Sequence, residues 1–99
     1  MTAAELKASA QTHATPPPGL SREALALWHA KKGNWDDAHN IAQDIPTRHG
    51  SWIHALLHLI EGDVGNAHYW FAKAGKAAAR IGEIEELWDE IATIILEAE

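Results

Sequence analysis

Ninety-nine residues, 46% of them apolar and five of them tryptophan, make one packed domain rather than a disordered chain. The absence of cysteine excludes a disulfide framework, a thiolate nucleophile and a thiolate-ligated zinc site. The net charge of −6 comes almost entirely from residues 83–99, which carry seven acids and no base. No basic stripe is left to neutralise phosphates, so nucleic acid is not an expected partner.

The opening MTAAELKASAQTHATPP lacks the apolar run of a signal peptide. ELKASAQTHA can form a short helix, but the ATPPPG that follows reads as an extended linker. Residues 1–19 are expected to be a mobile N-terminal segment with a proline-rich linker, and residues 20–99 a single helical-repeat domain. No stretch of 18 apolar residues occurs, so no span and no membrane partner are expected, and the expected location is cytoplasmic.

From residue 26 the chain repeats itself. ALWHAKKGNWDDAH (26–39) overlays ALLHLIEGDVGNAH (55–68) at a shift of 29 residues without a gap. Ala26/Ala55, Leu27/Leu56, His29/His58, Gly33/Gly62, Ala38/Ala67 and His39/His68 are identical. Such a period indicates stacked supersecondary units. In the first unit Ser21 caps a helix that ends at Gly33, and Asn34 caps a second helix running to about Gln43, ahead of Pro46. In the second unit Ser51 caps, Gly62 terminates, Asp63 caps again, and Gly75 stops the last helix. IPTRHG reads as the turn between the two. At the far end Ile84, Leu87, Trp88, Ile91, Ile95 and Ala98 form an apolar stripe on an acidic helix that caps the stack. Its acidic face is either plain solvated surface or a docking face for Lys73, Lys76 and Arg80 or for a basic partner. The expected fold is all-α: two stacked αα-hairpins and a C-terminal capping helix.

Small and bulky residues sit at fixed distances from the turn glycine: Ala55 seven before Gly62, then Ala67, Phe71 and Ala74 five, nine and twelve after it. The first unit offers Ala26, Ala38, Ala42 and Ile45 around Gly33. The arrangement resembles tetratricopeptide-type repeats, over about residues 21 to 75. The period of 29 is shorter than that family's usual ~34, and Gly50 and Ala79 stand where it has proline. In its register His54 and His58 fall at inter-helix packing positions, while Trp52, Leu56 and Leu59 face the groove, too apolar to stay uncovered. The string H-x-x-x-H-x-x-E-G-D-x-x-N-A-x-Y-W is also similar to one in small bacterial and fungal proteins without assigned activity.

WIHALLHLIEG (52–62) is apolar on nearly every side, which is the mark of a buried helix. Its polar exceptions, His54, His58 and Glu61, lie at i, i+4 and i+7 and stack on one face. They are either hydrogen-bonded core residues or a site. As a site they are candidates to hold a small ligand or a zinc-like divalent metal, with His29 joining from the preceding hairpin, or to act as an acid–base pair. A zincin-type protease is excluded because Ala55, not glutamate, follows His54. His39 and His68, at equivalent places, read as structural. Arg48, His49 and Trp52, and one of Tyr69 and Trp70, are interface candidates.

Two functions follow. The first is a small protein-interaction module, self-associating or binding another protein, without catalysis and without a cofactor. The alternative is a metal- or small-ligand-binding domain, hydrolytic in the extreme case, built on His54, His58 and Glu61. No serine or cysteine nucleophile stands at a recognisable elbow and no glycine loop cradles phosphate, so an enzyme is the less expected outcome.

Overall fold

Two glycines decide where the central helices turn. Gly33 (φ 94°) and Gly62 (φ 85°) occupy the left-handed region, where a side chain is strained. Each is followed by the same closure: Asn34 N–H donates to the His29 carbonyl and Asp63 N–H to the His58 carbonyl, both at 2.9 Å. The computed structural model, which describes residues 1–99, is all-helical, with six α-helices, one 3₁₀ turn and no strand. In order these are α1 (Ala3–Thr12), α2 (Arg22–Lys32), α3 (Trp35–Ala42), α4 (Arg48–Ile60), α5 (Val64–Ala74), the 3₁₀ turn Ile81–Glu83, and α6 (Ile84–Glu97). No helix is long and apolar enough to cross a membrane.

Helix α2 packs on α3 across the Gly33 turn, and α4 packs on α5 across the Gly62 turn. Ala38, Ala42, Ala67 and Ala74 are buried at these crossings, small enough to let neighbouring backbones approach. Ser21 and Asp63 cap as expected, accepting from Ala24 N–H and Asn66 N–H. Two caps differ from expectation. Asn34 makes no cap bond, because its side chain is bonded to the His29 ring instead (3.2 Å). Thr47 rather than Ser51 caps α4, accepting from Gly50 N–H at 3.2 Å, so Arg48, His49 and Gly50 belong to the helix and not to a turn. Gly50 itself is demanded by space: a Cβ there would lie 2.2 Å from the Ile45 carbonyl oxygen.

Helix α6 covers the remaining faces of α4, α2 and α1. It buries Leu87, Trp88, Ile91, Ala92 and Ile95, and the Trp88 indole donates to the Leu27 carbonyl (2.9 Å). Its acids form no ion pair with Lys73 or Lys76. Asp89 pairs with Lys7 of α1 (2.8 Å) and Glu85 with Lys31 of α2 (3.3 Å), while Arg80 is met by Glu83, three residues away. Helix α6 lies against α4, and Trp52, Leu56 and Leu59, too apolar to stay uncovered, are buried.

The N-terminal segment differs most from its sequence reading. Residues expected to be mobile form α1, closed by a capping box in which Thr2 and Glu5 bond each other's backbone N–H. Leu6 and Ala10 are buried in the common core, and the Trp28 indole N–H, which needs an acceptor once buried, donates to Ser9 Oγ (3.1 Å). The helix is docked by this hydrogen bond and by the burial of Leu6 and Ala10. Leu6→Ala should therefore lower unfolding free energy by about 2–4 kcal/mol in urea titration, as for a core leucine. A loss below about 0.5 kcal/mol would mean that α1 is not part of the core.

Candidate metal centre

Helix α4 carries buried residues on every side, from Trp52 through Leu59, and His54 and His58 lie among them, each 6% exposed. A buried imidazole without a partner costs about 1–3 kcal/mol. Here both have partners, and no buried side-chain nitrogen or oxygen is left unsatisfied. His54 Nε2 meets His39 Nε2 at 3.0 Å, and His58 Nδ1 meets Glu61 Oε2 at 2.6 Å. An N···N contact of that length is one N–H donating to one lone pair, so the pair holds complementary tautomers.

Aromatic rings fix this arrangement from both sides. The His54 ring lies between Trp70 (centroids 3.9 Å, planes 12° apart) and His58 (4.8 Å, 23°). The His39 ring stacks on Trp35 (4.7 Å, 11°), and the Trp35 indole N–H donates to the Leu57 carbonyl at 2.6 Å. The three imidazoles thus come from two helices, α3 and α4, and α5 supplies one wall. One ring nitrogen from each of His39, His54 and His58 can be chosen so that all lie within 4.8 Å of one another. With His58 Nδ1 held by Glu61, Nε2 is the nitrogen left free for ligation.

The fit to a metal can be tested on geometry. Tetrahedral zinc with bonds of about 2.05 Å needs ligand nitrogens about 3.3 Å apart. The His39–His54 separation is already near that value, and closing the third ring requires a shift on the order of 1 Å. The donor set is also chemically apt. Neutral imidazole is the form a metal binds, and a carboxylate on the far nitrogen, as Glu61 is on His58, orients the ring and raises its basicity. His58, Glu61 and Asp63 form a second, overlapping group at the outer end of the row, although Asp63 is engaged as the cap of α5.

Burial disfavours the protonated forms of His54 and His39. It pushes His54 from an ordinary 6.5 down to about 4, with His39, His58 and Lys73 adding in the same direction. His39 is also lowered, first by burial and then by the charge of His58, against the opposing pull of Glu61 and Asp36.

Of the residues singled out by sequence, His54, His58 and Glu61 are brought together. His29 is not: its ring is bonded to Asn34 and lies edge-on to Trp28. The shift of 29 residues puts His29 at the place of His58, near the end of a different helix, so it faces its own turn and not α4. His39 takes the role expected of His29. Its one local signal was Trp35 at i−4, on which the His39 ring stacks. His68, its repeat equivalent, is exposed. Among the interface candidates, Trp52 is core, Trp70 is half-buried on His54, His49 is half-buried, and Arg48 and Tyr69 are exposed. No protein-family model, curated protein or solved structure matches the chain.

The depressed His54 has a stability consequence in metal-free protein. The folded state binds its proton less well than the unfolded state does, so this contribution is complete above pH 6.5 and is lost as pH falls toward 4. Between pH 7 and pH 5 unfolding free energy should drop by about 2 kcal/mol through His54 alone. Urea titrations across that range should show the drop in the parent and a flatter profile in His54→Leu; parallel profiles would show that His54 is not held neutral by the fold.

Proposed function

We propose that this chain is a small helical domain that binds a divalent transition metal of the zinc class through His39, His54 and His58, with Glu61 orienting His58. The convergence of three imidazoles from α3 and α4 within 4.8 Å carries this reading. Nitrogen donors suit zinc, copper or nickel better than calcium or magnesium, which take oxygen. Three protein nitrogens leave a fourth tetrahedral position for water, while Glu61 stays on the far nitrogen of His58. A bound ion at such a position would lower the pKa of its water, which is the chemistry a hydrolytic variant of this reading requires.

A protein-interaction module is the second reading. We read α2–α3 and α4–α5 as two hairpins of one tetratricopeptide-like repeat, on the strength of the identical closures after Gly33 and Gly62. Tyr69, 58% exposed beside the half-buried Trp70, is the surface observation that favours it. Light scattering of the purified chain separates the two: a fixed oligomer that Tyr69→Ser dissociates supports the module, and a monomer with or without zinc leaves self-association without support.

The metal reading is tested by titration. With free zinc at about 100 times its dissociation constant, the folded state should gain about 2.7 kcal/mol, reversed by chelator. Imidazole ¹⁵N resonances of His39, His54 and His58 should shift together at one equivalent. His39→Ala should abolish the gain. Rings that keep one neutral tautomer and ignore stoichiometric zinc would make the cluster a hydrogen-bonded core instead. Glu61→Gln keeps the size of the side chain but not its charge, and should weaken zinc binding by about 10–100-fold while the fold is retained.

A further inference from the structure

Behind Trp70, on the side away from the histidines, a cleft of about 440 Å³ runs between the segment that starts α4 and the outer face of α5. Its walls include Gln43, Thr47, Arg48, Ser51, Trp70 and Lys73, and no carboxylate lines it. On a chain with 14 acids and eight lysines and arginines, an acid-free cavity holding two of those cations is a departure from the average surface.

Neither cation is neutralised. The ion pairs of this protein use Lys7, Lys31, Arg80 and His58, and neither Arg48 nor Lys73. Lys73 Nζ rests instead over the rings of Trp70 (5.0 Å) and Tyr69 (5.8 Å). The Arg48 guanidinium reaches the end of α5, its Nη1 lying 3.7 Å from the point where a Cβ on Gly75 would stand. Both cations thus line the cleft without an acidic partner. The hydroxyl of Thr47 accepts from Gly50 and retains its own hydrogen to donate, and Ser51 adds a second hydroxyl on the same wall.

We infer that this cleft binds a small organic anion, a carboxylate or phosphate ester, with Arg48 and Lys73 on the charged group and Trp70, Ile45 and Pro46 against its carbon framework. A guanidinium presents a planar fork that matches both oxyanions, and the ammonium adds a point charge. The volume lies within the range of small-molecule pockets, about 300–1,000 Å³, and exceeds what a bare ion fills. The inference uses none of the metal ligands and stands or falls independently of the metal reading.

The test uses full-length protein stripped of metal on a chelating resin, so that neither zinc nor a soluble chelator competes. Inorganic phosphate and succinate are titrated separately at constant ionic strength, and ¹H–¹⁵N spectra follow the Trp70 indole and the Ser51 amide. Saturable shifts at these two groups, with a dissociation constant on the order of 1 mM or tighter for either probe, are expected. Preference for phosphate or for succinate then assigns the anion class. Arg48→Gln with Lys73→Gln, both at exposed positions, should weaken binding about tenfold or more while the spectrum of the core is preserved. Shifts that rise linearly without saturation, or saturation unchanged in the double variant, would overturn the assignment.

Discussion

Helix α4 is surrounded by protein on all sides, and that one constraint organises the rest. A helix so placed cannot leave polar side chains to water, yet this one carries two histidines on the same face. Their satisfaction recruits a partner from α3 (His39), a carboxylate from the end of α4 itself (Glu61) and an aromatic wall from α5 (Trp70). The packing of three helices is thereby tied to the orientation of three imidazole rings. Misplacing α3 would leave His54 Nε2 unpaired in the interior, and misplacing α5 would strip the His54 ring of its stacking wall.

The same arrangement that satisfies the histidines makes them competent to ligate. Burial keeps His54 neutral far below its ordinary pKa, and stacking on Trp35 and Trp70 restricts the His39 and His54 rings to one orientation each. A metal would therefore find the His39 and His54 rings disfavoured as cations and held in place by their stacking partners. The cost lies elsewhere: the His39–His54 hydrogen bond must give up its proton for both nitrogens to bind one ion. Competition between a proton and a metal for one pair of nitrogens is the physical content of the choice between a structural cluster and a site.

Charge is segregated along the fold. Two acids of α6, Asp89 and Glu85, pair with Lys7 and Lys31 and so tie the C-terminal helix to α1 and α2. The opposite flank, where α4 begins and α5 ends, keeps Arg48 and Lys73 unpaired. An overall charge of −6 conceals this local excess of positive charge, since net charge reports nothing about placement.

The local features were written in the sequence, because they depend on few neighbours. Glycine at a left-handed closure, serine and aspartate at helix starts, and an all-apolar α4 each follow from conformational preference or from periodicity within one element. The row His54–His58–Glu61 was legible for the same reason, being fixed by helical spacing. What tertiary structure alone decided was who meets whom. Choosing His39 over His29 required knowing which face of α3 abuts α4. Docking α1 required knowing that the buried Trp28 indole finds its acceptor in Ser9, from beyond a proline-rich linker. The burial of Trp52 depended on what covers α4, and α6 lies there only because its apolar stripe has no other face to bury against. Local preference sets each helix. Pairing is set by the requirement, visible only in three dimensions, that every buried polar atom and every apolar stripe find its complement.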